Sequence, residues 1–324
     1  MVGVGAMGRR HCRVLRSLGD RFELMGGYDL RDDAEVPEGV ARLASEDEAV
    51  ALADVVVVAT PIEAHASVVA RALEAGRSVL VEKPLCRTAA EANALVAAAA
   101  MGTPASRLFV SHTERFNPVV RALARLLRGD RVRQMEFRRI GFSKPSGTGA
   151  LVNLGVHDID LGAYLGGGDV SLRAATGGVS GGSSAGGEDY AHLLFSTSAG
   201  AVGHLYVDRT ATTKQRVLEV STERWFYEGD LLAQRLARTS RGERGDRNGE
   251  RNQAAKTART DVPLLLDEPL LVQAIALADA LDGGPIREIA TGTDGARAVH
   301  IAERAAAQCA RTPEAAKPEA FGRP

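Results

Sequence analysis

The chain has 324 residues, long enough for two ordinary domains, and its 45% hydrophobic and 25% charged residues suit a globular protein rather than a disordered one. A formal charge of -1, from 40 basic and 41 acidic side chains, gives no general attraction to nucleic acid. The longest apolar stretch, around Ala53 to Ala59, is too short to cross a bilayer, and no signal segment opens the chain. Cys12, Cys86 and Cys309 are too few and too scattered for a disulfide framework or a zinc site, so a cytoplasmic protein with reduced thiols and a small-molecule ligand is expected.

From residue 1 to about 112, short apolar runs alternate with amphipathic stretches, the pattern of repeated βαβ units around a parallel sheet. The predicted strands are Met1 to Val4, Phe22 to Tyr28, Val55 to Ala59, Ser78 to Val81 and Leu108 to Ser111. Helices are predicted over Gly8 to Leu18, Ala64 to Ala75 and Ala89 to Ala100, rich in Ala, Leu, Arg and Glu. Only Met1 and Val2 precede the first glycine, whereas a buried strand usually takes about five residues. Either the start codon was chosen too far downstream or the sheet manages with a stub.

Between the first strand and the first helix lies Gly3-Val4-Gly5-Ala6-Met7-Gly8, a G-x-G-x-x-G run. Gly3 permits a tight turn, Gly5 lets backbone approach a pyrophosphate, and Gly8 lets the helix pack on the strand, while the helix start at Ala6 and Met7 offers unpaired amides to phosphate. Twenty-one residues after Gly8, Asp29 closes the second strand, where a carboxylate can accept from the adenosine ribose hydroxyls and repel a 2′-phosphate. NAD is therefore favoured over NADP, although Arg31 follows closely enough to offset part of the repulsion. The plain alternative for Asp29 is a solvated turn residue. Thr60-Pro61 ends the run of four valines and is expected on the nicotinamide side of the crevice, and Glu82-Lys83-Pro84 follows the strand Ser78 to Val81 at the same edge. A lysine there can donate to a substrate oxygen, or it is simply a surface charge.

After Asn117 the pattern changes. A helix over Pro118 to Arg128 is followed by extended segments near Arg131 to Gly141, Val170 to Gly178, Asp189 to Ser196, Ala201 to Arg209 and Arg216 to Thr222, with Gly177 to Gly187 as a glycine and serine turn. An antiparallel sheet with few helices fits. The interrupting helix, Val152 to Leu165, places Asn153, His157, Asp160 and Tyr164 on one face at spacings of four, three and four. A histidine fixed by a neighbouring carboxylate can take a hydroxyl proton as hydride leaves the same carbon; the plain alternative is a capped helix with a satisfied histidine. Arg238 to Arg259, with seven basic and three acidic residues and almost no apolar ones, reads as a flexible surface loop, or more sharply as arginines folding over a substrate diphosphate. Helices over Pro269 to Leu281 and Asp294 to Cys309 precede a frayed tail.

Taken together, the glycine run, Asp29, Ala59-Thr60-Pro61, Glu82-Lys83-Pro84, Glu114-Arg115-Phe116-Asn117-Pro118 and Gly155-Val156-His157-Asp158-Ile159-Asp160 resemble the Gfo/Idh/MocA family of glucose-fructose oxidoreductase and inositol dehydrogenase. Within it, Ser111 to Pro118 and the Val156 to Asp160 helix are most like those of UDP-N-acetylglucosamine 3-dehydrogenases. The resemblance implies an α/β Rossmann domain, a doubly wound parallel sheet assigned here to residues 1–115. An open, mainly antiparallel α+β substrate and oligomerisation domain over 116–311 and a tail over 312–324 would follow. It also implies Lys83 and His157 flanking an oxidised carbinol, with Asp160 available to the proton relay. Many relatives carry aspartate where this chain has Asn153, which cannot act as a base. Gly3, Gly5, Ala6, Met7, Gly8, Asp29, Thr60, Pro61, Glu82 and Lys83 are the expected NAD site; Lys83, Arg115, Asn117, Asn153 and His157 are the expected substrate contacts, with loop-stabilising hydrogen bonds the alternative for Arg115 and Asn117. His112 is expected to be packed. The expected activity is oxidation of a nucleotide-sugar hydroxyl by a homodimer or homotetramer, with a free-sugar or inositol dehydrogenase and a non-catalytic NAD-binding regulator as the alternatives.

Overall fold

The computed structural model describes residues 1–102, 106–143, 147–180, 187–241, 258–286 and 288–311. Contacts divide the chain into two units, one of Met1–Gly129, Ala233–Leu236 and Asp261–His300, the other of Asp130–Leu232, Ala237–Thr260 and the residues from Ile301 on.

The first unit opens with α1 (Ala6–Ser17), α2 (Glu46–Leu52), β1 (Val55–Val58), α3 (Ile62–Glu74), β2 (Ser78–Glu82), α4 (Ala89–Met101), β3 (Leu108–Ser111), a 3-10 turn (Thr113–Phe116) and α5 (Pro118–Leu126). β1 and β2 pair in parallel, as do β2 and β3. Their side chains alternate between two cores. Val56, Val58, Val79 and Val81 pack with Val68, Val69 and Leu95 of α3 and α4, while Val57, Leu80 and Phe109 pack with Val14 and Leu15 of α1. A sheet covered on both faces takes apolar residues at every position, which is why the valine run of β1 shows no alternation.

Two expected strands shrink to bridges. Val2 bridges both Tyr28 and Val58 in parallel, and Gly27 bridges Arg42. The connections are real, with Gly3 donating to the Tyr28 carbonyl at 2.7 Å and Ala59 to the Val2 carbonyl at 2.8 Å, but no continuous ladder forms. Close packing contributes, since a Cβ at Gly26 would meet the Ala41 carbonyl oxygen and the Leu43 side chain at 2.8 Å. Counting the bridges, the spatial order runs Arg42, Gly27, Val2, β1, β2, β3, and it reverses beside Val2. In such a sheet the crevice at the carboxyl ends of the strands opens at that switch point. Helix α2 was not expected from apolar periodicity; it starts at Ser45, whose hydroxyl accepts from the Glu48 amide at 3.1 Å, with three acidic residues in its first turn.

The second unit holds β4 (Val132–Ile140), a π turn (Leu151–Gly155) running into α6 (Val156–Gly166), then β5 (Val170–Gly178), β6 (Tyr190–Thr197), β7 (Val202–Asp208), β8 (Gln215–Thr222) and β9 (Trp225–Asp230). With β10 (Arg235–Ser240) and β11 (Arg259–Asp261) these strands form a sheet in the order β11-β10-β9-β8-β4-β7-β6-β5. It is mainly antiparallel, with β4 and β7 the parallel pair. Val132, Met135, Phe137 and Arg139 of β4 point inward beneath α6. The helix approaches closely because Gly162 has no side chain, and a Cβ there would touch the Phe195 ring at 2.8 Å. Strand β10 corrects the expected loop over 238–259 at its start: Arg238 to Ser240 are strand residues, and the Arg238 guanidinium lies 4.4 Å from the centre of the Trp225 ring. At its other end Arg259 opens β11. Residues 242–257 of that segment, 181–186 of the expected glycine and serine turn, and the tail over 312–324 lie outside the described residues.

The chain then returns to the first unit through α7 (Pro269–Leu281), β12 (Ala290–Thr291) and the start of α8 (Gly292–Cys309). Leu270, Ala274 and Leu277 of α7 complete the core around Leu80, Phe109 and Phe116, and β12 pairs antiparallel with β3. Residues 261–300 thus rejoin the first unit, whereas the sequence expectation assigned everything from 116 to 311 to the second. Apolar burial on the far side of the parallel sheet draws the segment back. Among the described residues no helix is long and apolar enough to cross a membrane.

Candidate active site

The glycine turn is built by three different constraints. Gly3 has a φ of +87°, and a Cβ on it would lie 2.6 Å from the Ala59 carbonyl carbon. At Gly8 a Cβ would run into the Gly3 carbonyl oxygen, so the helix closes on the turn only because residue 8 is glycine. Gly5 differs: a Cβ there would have nothing within 4 Å, so its backbone faces open space. Helix α1 begins immediately after it, with no acidic residue in the first turn and no side chain capping the Gly5 end. The first amides of α1, from Ala6, Met7 and Gly8, are left for an anion.

Gly3, Gly5, Met7, Asp29, Thr60, Pro61, Glu82 and Lys83 line one cavity of about 820 Å³, together with Tyr28, Arg31 and His65. Ala6 and Gly8, also expected at the cofactor, do not line this cavity; Ala6 starts α1 and Gly8 packs against Gly3. Asp29 accepts hydrogen bonds from the Val4 amide at 3.0 Å and from Arg31. Burial opposes its charge, but the bonds from the Arg31 side chain, the Arg31 amide and the Val4 amide prevail and hold the carboxyl below its ordinary range. Pro61 stands at the N-cap of α3, and the buried Thr60 Oγ1 has no hydrogen-bond partner among the described residues.

Glu82 ends β2 and Lys83 follows it, and the Lys83–Pro84 peptide is cis. Glu82 is buried, with Oε1 2.7 Å from His11 Nε2 and 2.9 Å from Ser111 Oγ, which also lies 3.0 Å from Gln273 Oε1. Burial again works against the charge, yet His11, Ser111 and the positive charge of Lys83 together keep the carboxyl well below the usual glutamate value. His65 joins two cavity-lining turns: Nδ1 is 2.9 Å from the Pro84 carbonyl and Nε2 3.0 Å from the Thr60 carbonyl. Sequence reasoning passed over His11, His65 and Gln273. The signal available was a single polar group at a core-facing position of an otherwise amphipathic helix.

Arg115 and Asn117 lie in and just after the 3-10 turn that follows β3. Arg115 is buried with its guanidinium 3.5 Å from Asp294, whose carboxyl is held below the usual range: burial opposes the charge, and Arg115, the Thr291 amide and hydroxyl, and Arg297 outweigh it. Asn117 accepts from the Val119 amide at 3.1 Å, capping α5, and its amide donates to Glu114 at 3.3 Å. His112 is buried.

In the second unit Asn153 sits in the π turn, and His157, Asp160 and Tyr164 follow on α6. Asn153, His157 and Tyr164 are half-buried, whereas Asp160 is buried. The histidine helix is anchored by a pair that the sequence did not reveal. Asp158 receives Arg139 of β4 in a bidentate pair at 2.7 and 2.9 Å, both side chains 3% exposed. The π turn is held from the other side, where Glu188 Oε1 accepts from the Leu151 amide at 2.8 Å; burial raises that carboxyl. Arg209 pairs with the neighbouring Asp189 at 2.7 Å and donates to the Thr148 carbonyl at 2.7 Å. Arg139 was detectable only as an arginine on the inward parity of β4.

The first unit's residues fit a dinucleotide: an uncapped helix start beside open space for phosphates, a carboxylate at the adenosine end, and an orphaned Thr60 hydroxyl with Lys83 toward the other end. Gly3, Gly5, Ala6, Met7, Asp29, Thr60 and Lys83 would hold it. Among the described residues no group of three His, Cys, Asp or Glu side chains is placed to hold a metal ion.

Comparison with known proteins gives a consistent result. The family model described as "Oxidoreductase family, NAD-binding Rossmann fold" matches residues 1–104, and the "GFO/IDH/MocA C-terminal domain" matches 120–227. The D-apiose dehydrogenase of Paraburkholderia graminis is 30% identical over 62% of this chain and 57% of its own length. The UDP-N-acetylglucosamine 3-dehydrogenase of Acidithiobacillus ferrooxidans is 30% identical over 54% of this chain and 56% of its own. These matches span little more than half of either relative. The solved structure of the latter enzyme superposes with a TM-score of 0.81, covering 95% of each chain at 24% identity. A levoglucosan dehydrogenase in complex with NADH and levoglucosan also gives 0.81, over 95% of this chain and 96% of that one, at 19% identity.

Proposed function

Because the chain belongs to the Gfo/Idh/MocA family of NAD-binding oxidoreductases, we propose that it is a sugar dehydrogenase, oxidising the 3-hydroxyl of a UDP-N-acetylhexosamine such as UDP-N-acetylglucosamine. Bound NAD supplies the hydride acceptor. His157, on the helix anchored by the Arg139–Asp158 pair, takes the hydroxyl proton, and Lys83 donates a hydrogen bond to the same oxygen, stabilising the negative charge that develops there. Asp160 supports the imidazolium. Asn153 contributes an amide only, so it orients the sugar and moves no proton. Arg115 and Asn117 act on the substrate from the turn after β3.

The observation that carries this reading is Lys83 lining the same cavity as Gly3, Gly5 and Asp29. A nicotinamide-bearing dinucleotide held in that cavity would share it with the Lys83 ammonium, the group this reading assigns to polarise the alcohol oxygen. The purified chain, supplied with NAD and a panel of UDP-N-acetylglucosamine, D-apiose and inositol, should show reduced-nicotinamide absorbance with the nucleotide sugar above the others. Turnover restricted to a free sugar would replace the substrate and keep the chemistry, and this second reading is favoured by a D-apiose dehydrogenase matching at the same identity as the UDP-N-acetylglucosamine enzyme. Tight NAD binding without turnover of any sugar would favour a regulatory protein.

The outer face of β6 and β7 supports self-association, since Tyr190, Leu194 and Val202 are 38%, 47% and 54% exposed there. Sedimentation should find a dimer or tetramer rather than a monomer.

A further inference from the structure

The π turn over Leu151–Gly155 carries Asn153 and opens directly into α6. Such turns are rare and occur mostly as single turns, often at functional sites. This one lies at a helix start, where the first amides have no carbonyl one turn earlier to receive them. Glu188, 37 positions beyond Leu151, supplies the acceptors: its backbone carbonyl takes the Ala150 amide and its Oε1 takes the Leu151 amide, each at 2.8 Å. Ala150, Leu151 and Glu188 are all buried, so water does not stand in for either bond. The carboxyl lies hard against the chain it holds, since a Cβ on Gly149 would collide with both of its oxygens. Glu188 is held in turn through its neighbour: the Asp189 amide donates to the Gly178 carbonyl at 2.8 Å, and the Arg209 guanidinium joins the Asp189 carboxyl to the Thr148 carbonyl, both at 2.7 Å.

We propose that Glu188 is a positioning residue for the sugar: it sets the π turn and hence the Asn153 amide, while the Arg139–Asp158 pair sets His157 separately. The inference rests on the reading of Asn153 and His157 as substrate contacts. Two anchors on one stretch of chain then govern two kinetic quantities. Removing the Glu188 side chain leaves the buried Leu151 amide unpaired, and the turn must rearrange to satisfy it, which shifts Asn153 two residues on. His157, a turn farther along and tied to β4 through Asp158, stays in place. The turn uses an acceptor oxygen rather than a charge. Burial pushes the Glu188 carboxyl up, against the opposing pull of the Leu151 amide, its own amide and Arg209, so a neutral amide of the same shape can serve.

The test is steady-state kinetics of the full chain with NAD saturating and UDP-N-acetylglucosamine varied, or whichever sugar of the panel is turned over. Glu188→Ala should raise the sugar KM by about tenfold, the scale of one hydrogen bond, with kcat and NAD affinity changed far less. Glu188→Gln keeps the accepting oxygen and should restore the parental KM. If Glu188→Ala does not fold, Glu188→Asp, which keeps the charge and withdraws the oxygen, should show the same rise. Hydrogen exchange gives a readout that needs no sugar: amides over 150–155 should exchange faster in Glu188→Ala, and at the parental rate in Glu188→Gln. An unchanged KM, an equal loss of kcat and NAD affinity, unaltered exchange, or a Glu188→Gln variant as impaired as Glu188→Ala would overturn the positioning role. Turnover of no sugar by the unsubstituted chain would instead overturn the functional reading, and this role with it.

Discussion

The two units solve the same problem, placing polar groups beside an apolar core, in opposite ways. In the first the work is done largely by backbone: a turn that requires glycine at Gly3 and Gly8, an uncapped helix start, and strand ends that deliver Asp29, Thr60 and Lys83 to one cavity. In the second it is done by buried side-chain pairs, Arg139 with Asp158 and Arg209 with Asp189, which hold the helix of His157 and the strands around it. Backbone devices leave a local mark in sequence, whereas ion pairs between residues 19 and 20 positions apart do not. The same contrast would separate binding from proton transfer if, as proposed, the first unit holds the nucleotide and His157 of the second supplies the base.

The sharpest way to break that contrast is at His157. His157→Ala should lower kcat by about 10²- to 10⁴-fold, the usual worth of a positioned base, while calorimetry finds NAD affinity almost unchanged. Parallel loss of both would mean the histidine is structural.

Next in size is the anchor beneath it. Arg139→Met leaves Asp158 buried without its partner and should cost about 3–5 kcal/mol in denaturant unfolding. The double variant Arg139→Met with Asp158→Leu should recover most of that, because no charge is then stranded. If the recovered fold also regains full kcat, the pair contributes stability alone; if kcat stays low, it sets the pose of His157.

A smaller effect is expected in the first unit. The Glu82 carboxyl is depressed in the folded chain, so its contribution to stability is fully present above the unfolded glutamate pKa of about 4.3 and is lost as pH falls through the lower folded value. Glu82→Gln should therefore be less stable in denaturant unfolding at pH 7, by about 1–3 kcal/mol, and lose less stability on acidification than the unsubstituted chain. An unchanged acid limb would show that the charge of Glu82 is not what the fold uses.

Much of the first unit was legible. The glycine run, the valine strand and Glu82-Lys83-Pro84 announced a crevice, and the cavity gathers Gly3, Asp29, Thr60 and Lys83 as expected. What failed there failed for lack of a continuous ladder, as Phe22 to Tyr28 makes bridges where a strand was expected. Helix α2 carried a readable start in Ser45 and Glu48 but too few apolar residues to show a period. In the second unit the extended segments were visible, yet the parallel pairing of β4 with β7 was not, because the sheet order depends on crossings that no local pattern encodes. Strand β10 was hidden by its arginines, one of which stacks on Trp225 instead of pointing to water. Asp158 stood beside His157 in plain sight; its role became apparent only with Arg139 opposite it.

In the proposed reaction hydride leaves a sugar carbinol carbon for the nicotinamide of NAD bound by the first unit. The most direct measurement is mass spectrometry after incubating the chain with NAD and UDP-N-acetylglucosamine deuterated at C3. The account predicts deuterium on the reduced nicotinamide and a sugar nucleotide that has lost that deuterium and one hydroxyl proton. Deuterium remaining entirely in the sugar, in a sample that binds both compounds, would contradict it.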